Sequence, residues 1–180
     1  MNQQPTKTIL TPRLQLRALT LADAPAIFTL HTNIEVQRYL SRELMKSPLD
    51  SRLFIEKIEK GIDQGRWFYW GVVLKDTPGD VIGTVCLWQF SEDGKTAELG
   101  YDLLPGFQRK GIMTETVAAI LSFIKENTAL TTVQAMVRAD NLASLSLLKK
   151  MNFSYARNLS EEEKFAKEQG QEIRIYHKAV

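Results

Sequence analysis

Apolar and polar residues alternate near the start of the chain in the way that a half-buried strand requires. Over residues 13–19 every second side chain is apolar, namely Leu14, Leu16 and Ala18. Thr20 is a suitable helix N-cap, so we predict a helix over about 21–31 and a short second helix over 33–40. Asp50 is predicted to cap a longer helix with an apolar stripe at helical spacing: Phe54, Ile58 and Ile62.

Three strand-like segments follow: 67–75, 81–90 and 96–104. Polar turns at 76–80 and 91–95 separate them, and connections this short predict antiparallel neighbours. Pro105 and Gly106 end the third strand. A helix is then predicted over 112–127, because its apolar residues form one stripe: Val117, Ile120, Leu121 and Ile124.

The last part of the chain continues the mixture of helices and strands. We predict a strand over 132–138, a helix over 141–151 and strands near 153–157 and 173–178, with an exposed charged segment at 160–171. The pattern indicates an α/β fold, or α+β in stricter usage, whose mostly antiparallel sheet of about six or seven strands is flanked by helices. The unit over 96–138 predicts a right-handed parallel crossover.

Composition narrows the class of protein. The 180 residues, without repeats or linkers, favour a single domain with its core over about 9–178. A formal net charge of +2 does not indicate a nucleic-acid partner. Cys86 is the single cysteine, which excludes an intramolecular disulfide, and no metal site is predicted. Neither a signal peptide nor a membrane span is evident, so we expect a cytoplasmic protein with no membrane partner.

The segment Gln108-Arg109-Lys110-Gly111-Ile112-Met113-Thr114 lies between the end of a strand and the start of a long helix. The first turn of a helix has unpaired N–H groups and a partial positive charge, which together favour a diphosphate. Gly111 permits close approach or a positive φ, and two cationic side chains precede it. The nucleotide-binding patterns GxxxxGK[ST] and GxGxxG are absent, so an ordinary turn into a helix is the alternative.

This loop and its surroundings resemble the GNAT superfamily of N-acetyltransferases. Gln108-x-x-Gly111-x-Met113 is similar to the Q/R-x-x-G-x-G/A coenzyme-A loop, and it follows a strand, as in that family. Met113 stands where the family usually has Gly or Ala, which a backbone contact tolerates. The resemblance implies the GNAT fold and binding of acetyl-coenzyme A (acetyl-CoA).

Two further segments support the resemblance, which extends over about residues 9–178. Asn141-x-x-Ser144, followed by Asn152-Phe153, is similar to the family's N-x-x-S/A signature with a terminal Gly-Phe. Asn152 replaces the usual Gly, and Asn also suits a left-handed C-cap. Residues 11–17 resemble the start of ribosomal-protein N-terminal acetyltransferases, the RimJ and RimL branch.

The resemblance implies roles for individual residues. The main chain of Leu103 and Leu104 would bind the pantetheine arm, as would Asn141, and the main chain over 109–114 would hold the diphosphate. The coenzyme-binding residues so implied are Leu103, Leu104, Gln108, Arg109, Lys110, Gly111, Ile112, Met113, Thr114 and Asn141. Ser144, or solvent, would protonate the departing thiolate, because Leu148 stands where many relatives have a tyrosine.

The remaining chemistry needs an oxyanion donor and a base. An N–H near Leu103 would stabilise the tetrahedral intermediate, and Glu98 is our candidate base. Glu98 shares a strand face with Gly100 and Asp102, and the glycine leaves room for a substrate. The alternative for Glu98 is a solvated or salt-bridged strand carboxylate.

Other chemically suggestive residues are interpreted conservatively. We expect His31 at the surface, His177 in a structural or surface position, and Cys86 as a buried small hydrophobe. The aromatic residues at 67–70 must occupy both faces of their strand, one of which could border the acceptor site.

The function predicted is direct transfer of an acetyl group from acetyl-CoA to a primary amine in a ternary complex. The acceptor predicted is a protein N-terminal amine, with a polyamine, an amino acid or an aminoglycoside as alternatives. A non-catalytic acyl-CoA-binding module is a further alternative. An ATP-binding protein is disfavoured, since the P-loop lysine and a magnesium-binding carboxylate are missing. A monomer or a homodimer fits the sequence.

Overall fold

A computed structural model of the protein describes residues 7–40, 42–77, 79–164 and 170–180. Within these ranges the strands are β1 Ile9–Leu10, β2 Leu14–Arg17, β3 Phe68–Leu74, β4 Gly83–Trp88, β5 Thr96–Leu103, β6 Thr132–Arg138, β7 Ser154–Asn158 and β8 Ile173–Ala179. The α-helices are α1 Ala24–Thr32, α2 Ile34–Gln37, α3 Pro48–Asp63, α4 Ile112–Asn127 and α5 Leu142–Lys150. No helix in the described ranges is both long and apolar enough to cross a bilayer.

All the described strands belong to one sheet, in the order β1-β2-β3-β4-β5-β6-β8-β7. Neighbours are antiparallel except for β5 and β6, which are parallel and joined through α4. The predicted mixed α/β fold and the parallel connection are confirmed. The predicted number of strands was too low, because the two-residue strand β1 pairs with β2 and is too short to give an alternating pattern.

The two faces of the sheet are covered by different helices. On one face Leu16 and Trp70 pack in the same core as Ile120 and Ile124 of α4. On the other face Tyr69 packs with residues of α1 and α3. The aromatic residues of β3 therefore occupy both faces, as predicted. Helix α4 has the predicted bounds, and its predicted apolar stripe is buried.

Helix α3 begins earlier than predicted, at Pro48. Ser47 is its N-cap, and the carboxylate of Asp50 accepts hydrogen bonds from the N–H groups of Lys46 and Ser47. The assignment of Asp50 as the cap was wrong, because it is the third helical residue of a capping box. The buried face is also rotated from the predicted stripe and comprises Ser51, Ile55, Ile58 and Gly61.

The helices near the N-terminus are shorter than predicted. Residues Leu21–Asp23 form a 3₁₀ turn before α1. Asp23 there accepts hydrogen bonds from the Thr20 N–H and from Arg17. In the predicted charged segment, Glu161–Glu163 is an exposed 3₁₀ turn, whereas residues 165–169 lie outside the described residues.

Candidate active site

Strands β5 and β6 pair over only part of their length. Their register joins Thr96–Glu98 to Thr132–Gln134, although β5 continues to Leu103 and β6 to Arg138. Within the described residues, the carboxyl-terminal halves of these two parallel strands therefore share no ladder. The sheet has an opening there, closed at the Glu98 end and open at the Leu103 end.

The main chain of β5 presents hydrogen-bonding groups to this opening. The N–H of Leu104 donates to the carbonyl of Ile82 at 2.9 Å, so even-numbered residues of this segment direct their main chain towards β4. Successive residues of a strand point their N–H and C=O groups to opposite sides. The N–H groups of Tyr101 and Leu103 therefore face the opening. Leu103 and Leu104 are the two residues whose main chain was predicted to bind the pantetheine arm, and of these only Leu103 has its N–H on this side.

The predicted diphosphate loop lies directly beyond the open end. Residues Pro105–Phe107 form a 3₁₀ turn, and Gln108 Nε2 donates to the carbonyl of Leu103 at 2.9 Å. Arg109 and Gly111 both have positive φ, 59° and 75° respectively. Gly111 is the N-cap of α4, and its carbonyl receives the first helical hydrogen bond. The next N–H groups, from Ile112 to Thr114, precede any helical acceptor and point out of the helix end.

An acidic residue in the first turn of α4 is neutralised by the N-terminal segment. Glu115 accepts from Thr11 Oγ1 at 2.6 Å and from Arg13 Nε at 2.7 Å, and Arg13 also donates to the carbonyl of Lys110 at 2.9 Å. Burial raises the pKa of Glu115, but these hydrogen bonds outweigh it and leave the pKa below its usual value. Arg13 therefore holds the loop in place, and it also compensates the charge of Glu115 at the positive end of α4.

The second predicted segment places a hydroxyl pair beside β5. Asn141 caps α5 by accepting from the N–H of Ser144 at 3.1 Å, which uses the oxygen of its carboxamide. The Ser144 Oγ lies 2.6 Å from the hydroxyl oxygen of Tyr101. Burial raises the pKa of Tyr101 to about 12, so its hydroxyl stays protonated at neutral pH. Leu148, at the position of the tyrosine in many relatives, is buried.

The opposite face of β5 carries Glu98, Gly100 and Asp102. Glu98 is 8% exposed, which excludes the solvated alternative for its carboxylate. It lies at the closed end of the opening, between Trp88 of β4 and Gln134 of β6 in the register. Glu98 and Ser144 therefore approach the opening from opposite faces of the sheet.

A cysteine also lies on the face of β5 that carries Glu98, but its thiol is not activated. Cys86 pairs with Gly100 across the ladder. Burial and the Asp102 carboxylate raise the pKa of its thiol to about 12. Cys86 is only partly buried, so the predicted fully buried position was not accurate. The raised pKa nevertheless leaves the nucleophilic thiolate unpopulated at neutral pH.

Known proteins are similar to this chain in sequence and in overall fold. The acetyltransferase (GNAT) domain family matches residues 13–154. The N-acetyltransferase YoaA of Bacillus subtilis is 34% identical over 143 residues, which are 79% of this chain and 80% of YoaA.

The chain belongs to the GNAT acetyltransferase family. It is accordingly an enzyme, an N-acetyltransferase, as the predicted activity class stated.

Two solved structures have the same fold. The ribosomal-protein acetyltransferase RimL in complex with coenzyme A has a TM-score of 0.85 at 18% identity, covering 97% of this chain and 98% of RimL. The microcin self-immunity acetyltransferase MccE in complex with acetyl-CoA and AMP has a TM-score of 0.83 at 20% identity, covering 94% of each chain. Both bind coenzyme A or its acetyl form, which supports an acyl-CoA as the co-substrate of this acetyltransferase.

This GNAT enzyme has a buried polar cluster that its sequence did not reveal. Asp102 accepts from the N–H of Thr84 at 2.9 Å, from the Thr84 hydroxyl at 2.7 Å and from Arg42 Nη2 at 2.6 Å. Arg42 also donates to Gln37 at 2.8 Å. The cluster thus ties the segment between α2 and α3 to β5. Among the described residues, no group of three potential ligands could hold a metal ion.

The position predicted for His31 was wrong. It is 2% exposed, and its ring packs edge-on against Phe54 with centroids 4.6 Å apart. The last turn of α1 lies on the sheet, which a helical pattern with a weakly defined apolar face did not reveal. Its Nε2 is 4.0 Å from a carboxylate oxygen of Asp102, yet burial and the Arg42 charge lower the pKa of His31 to about 4. The ring is therefore neutral at physiological pH, and the contact is not an ion pair. His177, by contrast, is exposed on β8, as predicted.

The neutral state of His31 predicts that the acetyltransferase loses stability on acidification. The unfolded chain binds a proton at His31 below its ordinary pKa of 6.5, whereas the folded chain does so only near 4. Stability should therefore fall as the pH decreases from 6.5 towards 4, by about 2 kcal/mol at pH 5 from this residue. Urea unfolding at pH 7.5 and 5.0 measures the loss. His31→Gln should lose less between the two pH values, whereas His177→Gln should behave as the parent; equal losses in all three would contradict the assignment.

Proposed function

We propose that this acetyltransferase transfers an acetyl group from acetyl-CoA directly to a primary amine within a ternary complex. The observation that carries the proposal is the opening between β5 and β6, with the start of α4 at its wide end and Glu98 at its closed end. A thioester lying in this opening would be accessible from both faces of the sheet. The coenzyme would occupy the α4 and α5 face, and the amine would approach from the face of α1 and α3.

The coenzyme side of the proposal assigns the diphosphate to the first turn of α4. The main chain over 109–114 would hold it, with Gly111 in the left-handed conformation and the side chains of Arg109 and Lys110 near the rim. An extended pantetheine arm would then enter at the Leu103 end and bond to main-chain groups of β5. Asn141 could add a bond through its NH₂ group, because its cap interaction uses only the oxygen.

The chemical step follows from the same placement. Glu98 would accept a proton from the ammonium group, directly or through a water molecule, and the resulting amine would attack the thioester carbonyl. An N–H of Leu103 or Tyr101 would stabilise the oxyanion, an effect worth about 3–4 kcal/mol in other enzymes. When the C–S bond breaks, the hydroxyl of Ser144 would donate a hydrogen bond to the departing thiolate. The nitrogen loses its second proton to solvent and the thiolate takes a proton from solvent, so the products are the amide and coenzyme A.

The acceptor we propose is the N-terminal α-amine of a protein. RimL, which has the same fold, is a ribosomal α-N-protein acetyltransferase, and residues 11–17 resemble the start of that branch. MccE has a similar TM-score and is a microcin self-immunity acetyltransferase, so similarity of fold alone does not select the acceptor. A small amine is therefore the second candidate, and the buried carboxylate of Glu98 suits a cationic amine of either kind.

An acceptor panel tests the function directly. Purified protein and acetyl-CoA are incubated with peptides bearing free Ser, Ala or Met N-termini, with the same peptides blocked at the N-terminus, and with spermidine, amino acids and an aminoglycoside. Release of the coenzyme thiol reports transfer. We expect turnover with free peptides only. Turnover with small amines alone would show that the acceptor is a small amine and not a protein N-terminus. Absence of any heat of binding with acetyl-CoA or coenzyme A would overturn the proposal.

Replacement of Gly111 tests the diphosphate site. Gly111→Val should weaken acetyl-CoA binding by at least about 10-fold, because a β-branched residue resists φ of 75° and would turn the N–H groups of α4 away. Gly65→Val is the matched control, since Gly65 has φ of 68°, open space around it and a position in the turn after α3. Both variants should lose stability, and titration calorimetry should find weaker binding only for Gly111→Val. Equal dissociation constants would refute the site.

A further inference from the structure

The hydroxyl of Tyr101 on β5 has no role in the proposed function, although it contacts the hydroxyl of Ser144 on α5. Tyr101 and Ser144 are 43 residues apart in sequence, and their hydroxyl oxygens lie 2.6 Å apart, a normal O–H···O distance. The contact is partly buried and joins the strand that borders the opening to the first turn of the helix that carries Ser144. Under the proposed function, the thioester sulfur would lie near this pair.

The direction of this hydrogen bond decides what Ser144 can do. A serine hydroxyl has one proton to donate and two lone pairs that accept. If Ser144 donated to Tyr101, its single proton would be used and could not reach a thiolate. If Tyr101 donates, the serine proton remains available. Burial keeps Tyr101 protonated at neutral pH, so the phenol always has a proton to donate.

Two different partners hold Ser144. Its hydroxyl oxygen contacts a side chain on the neighbouring strand, the Tyr101 hydroxyl. The Ser144 N–H is separately held by the Asn141 carboxamide at 3.1 Å. The backbone and the hydroxyl of Ser144 are thus fixed by two different partners.

Tyr101 borders the opening with its main chain and contacts Ser144 with its side chain. Its N–H faces the opening, as the alternation along β5 requires. Its ring extends to the α4 and α5 face, where it packs against the larger core. A rigid strand residue therefore sets the position of the serine hydroxyl relative to the wall of the opening.

We infer that Tyr101 is a positioning residue that donates a hydrogen bond from its hydroxyl to Ser144 Oγ and so directs the O–H of Ser144 towards the departing thiolate of coenzyme A. This inference rests on the proposed function. No proton leaves Tyr101 in the step: it remains a phenol throughout, while the Ser144 hydroxyl stabilises the negative sulfur after the C–S bond breaks. The coenzyme thiolate then takes its proton from solvent.

A double-mutant cycle tests the inference, with kcat and KM measured for an acceptor that the parent enzyme uses. Ser144→Ala should lower kcat by about 10²-fold. Tyr101→Phe should lower kcat by about 3- to 10-fold, the usual effect of one hydrogen bond, with KM for acetyl-CoA unchanged. The double variant should be no slower than Ser144→Ala, because Tyr101 acts only through Ser144. Ser146→Ala on the exposed side of α5 and Tyr155→Phe on β7 are the matched controls and should retain the parent rate.

Each other outcome has a definite meaning. A parent-like kcat for Tyr101→Phe, or effects that multiply in the double variant, would overturn the inference and leave the proposed function standing. A lower kcat accompanied by an equal loss of affinity for coenzyme A would show a merely structural role and would also overturn it. A parent enzyme that neither binds acetyl-CoA nor acetylates any amine would overturn the proposed function and this inference together.

Discussion

Replacing Glu98 with glutamine is expected to lower kcat by about 10²- to 10⁴-fold and to leave the affinity for acetyl-CoA unchanged. The substitution keeps the size of the side chain and removes its ability to accept a proton. Glu98 is buried on the face of the sheet that α1 and α3 cover, whereas under the proposed function the coenzyme would bind through α4 and the main chain of β5. The charge of Glu98 also contributes to raising the pKa of Cys86, which indicates that its field reaches the neighbouring strand. The change should therefore separate turnover from coenzyme binding.

The pH profile of kcat/KM provides the measurement for Glu98. The parent enzyme should lose activity on the acidic side with the titration of a single base, and Glu98→Gln should lack that limb. Glu92→Gln in the exposed turn between β4 and β5 is the matched control and should have the parent profile. An unchanged rate for Glu98→Gln across the pH range would remove this residue from the mechanism.

Replacing Asp102 with alanine is expected to destabilise the fold by about 3 kcal/mol. Removal of one partner of a buried ion pair typically costs 3–5 kcal/mol, since the other charge is left without compensation. The Arg42 side chain is 29% exposed and can regain some water, which places the effect at the lower end. Thr84 would also lose the acceptor of two hydrogen bonds beneath the sheet. Urea unfolding at pH 7.5 measures the change.

A surface ion pair supplies the comparison for Asp102. Arg138 and Asp140 are joined at 2.7 Å, but the Asp140 side chain is 54% exposed. Surface pairs contribute little, because water solvates each partner almost as well. Asp140→Ala should therefore leave the unfolding midpoint nearly unchanged. Similar midpoints for Asp102→Ala and Asp140→Ala would contradict the structural role assigned to the buried cluster.

Local pattern was sufficient for most of the secondary structure of this acetyltransferase. Helix α4 was predicted with its bounds because a complete apolar stripe lies between a proline–glycine break and a polar end. The start of α3 was missed, since both Ser47 and Asp50 are good capping residues and only the folded chain distinguishes their positions. Strand β1 was missed because two residues have no measurable period, and their pairing with β2 defines the strand.

The sequence could predict local conformation in the candidate site only within a continuous segment. The positive φ of Gly111 and the helix start after it follow from a glycine between a strand and a helix. Contacts within the candidate site join segments that are distant in sequence. Arg13 donates to the carbonyl of Lys110 in the loop, and the hydroxyl of Tyr101 contacts that of Ser144. His31 was misplaced because its burial depends on the way α1 lies over the sheet.

By itself, the sequence determined the fold class and the position of the loop before α4, because periodicity, turn chemistry and helix ends depend on neighbouring residues. The family followed from the resemblance of its motifs to those of the GNAT superfamily. Only the tertiary structure decided that β5 and β6 separate beyond Glu98, and that Asp102 accepts hydrogen bonds from Arg42 and Thr84. Both features join distant segments, and their energies depend on burial and on distances that no local pattern contains. The chemistry of the candidate site thus depends on contacts that form only when the chain folds.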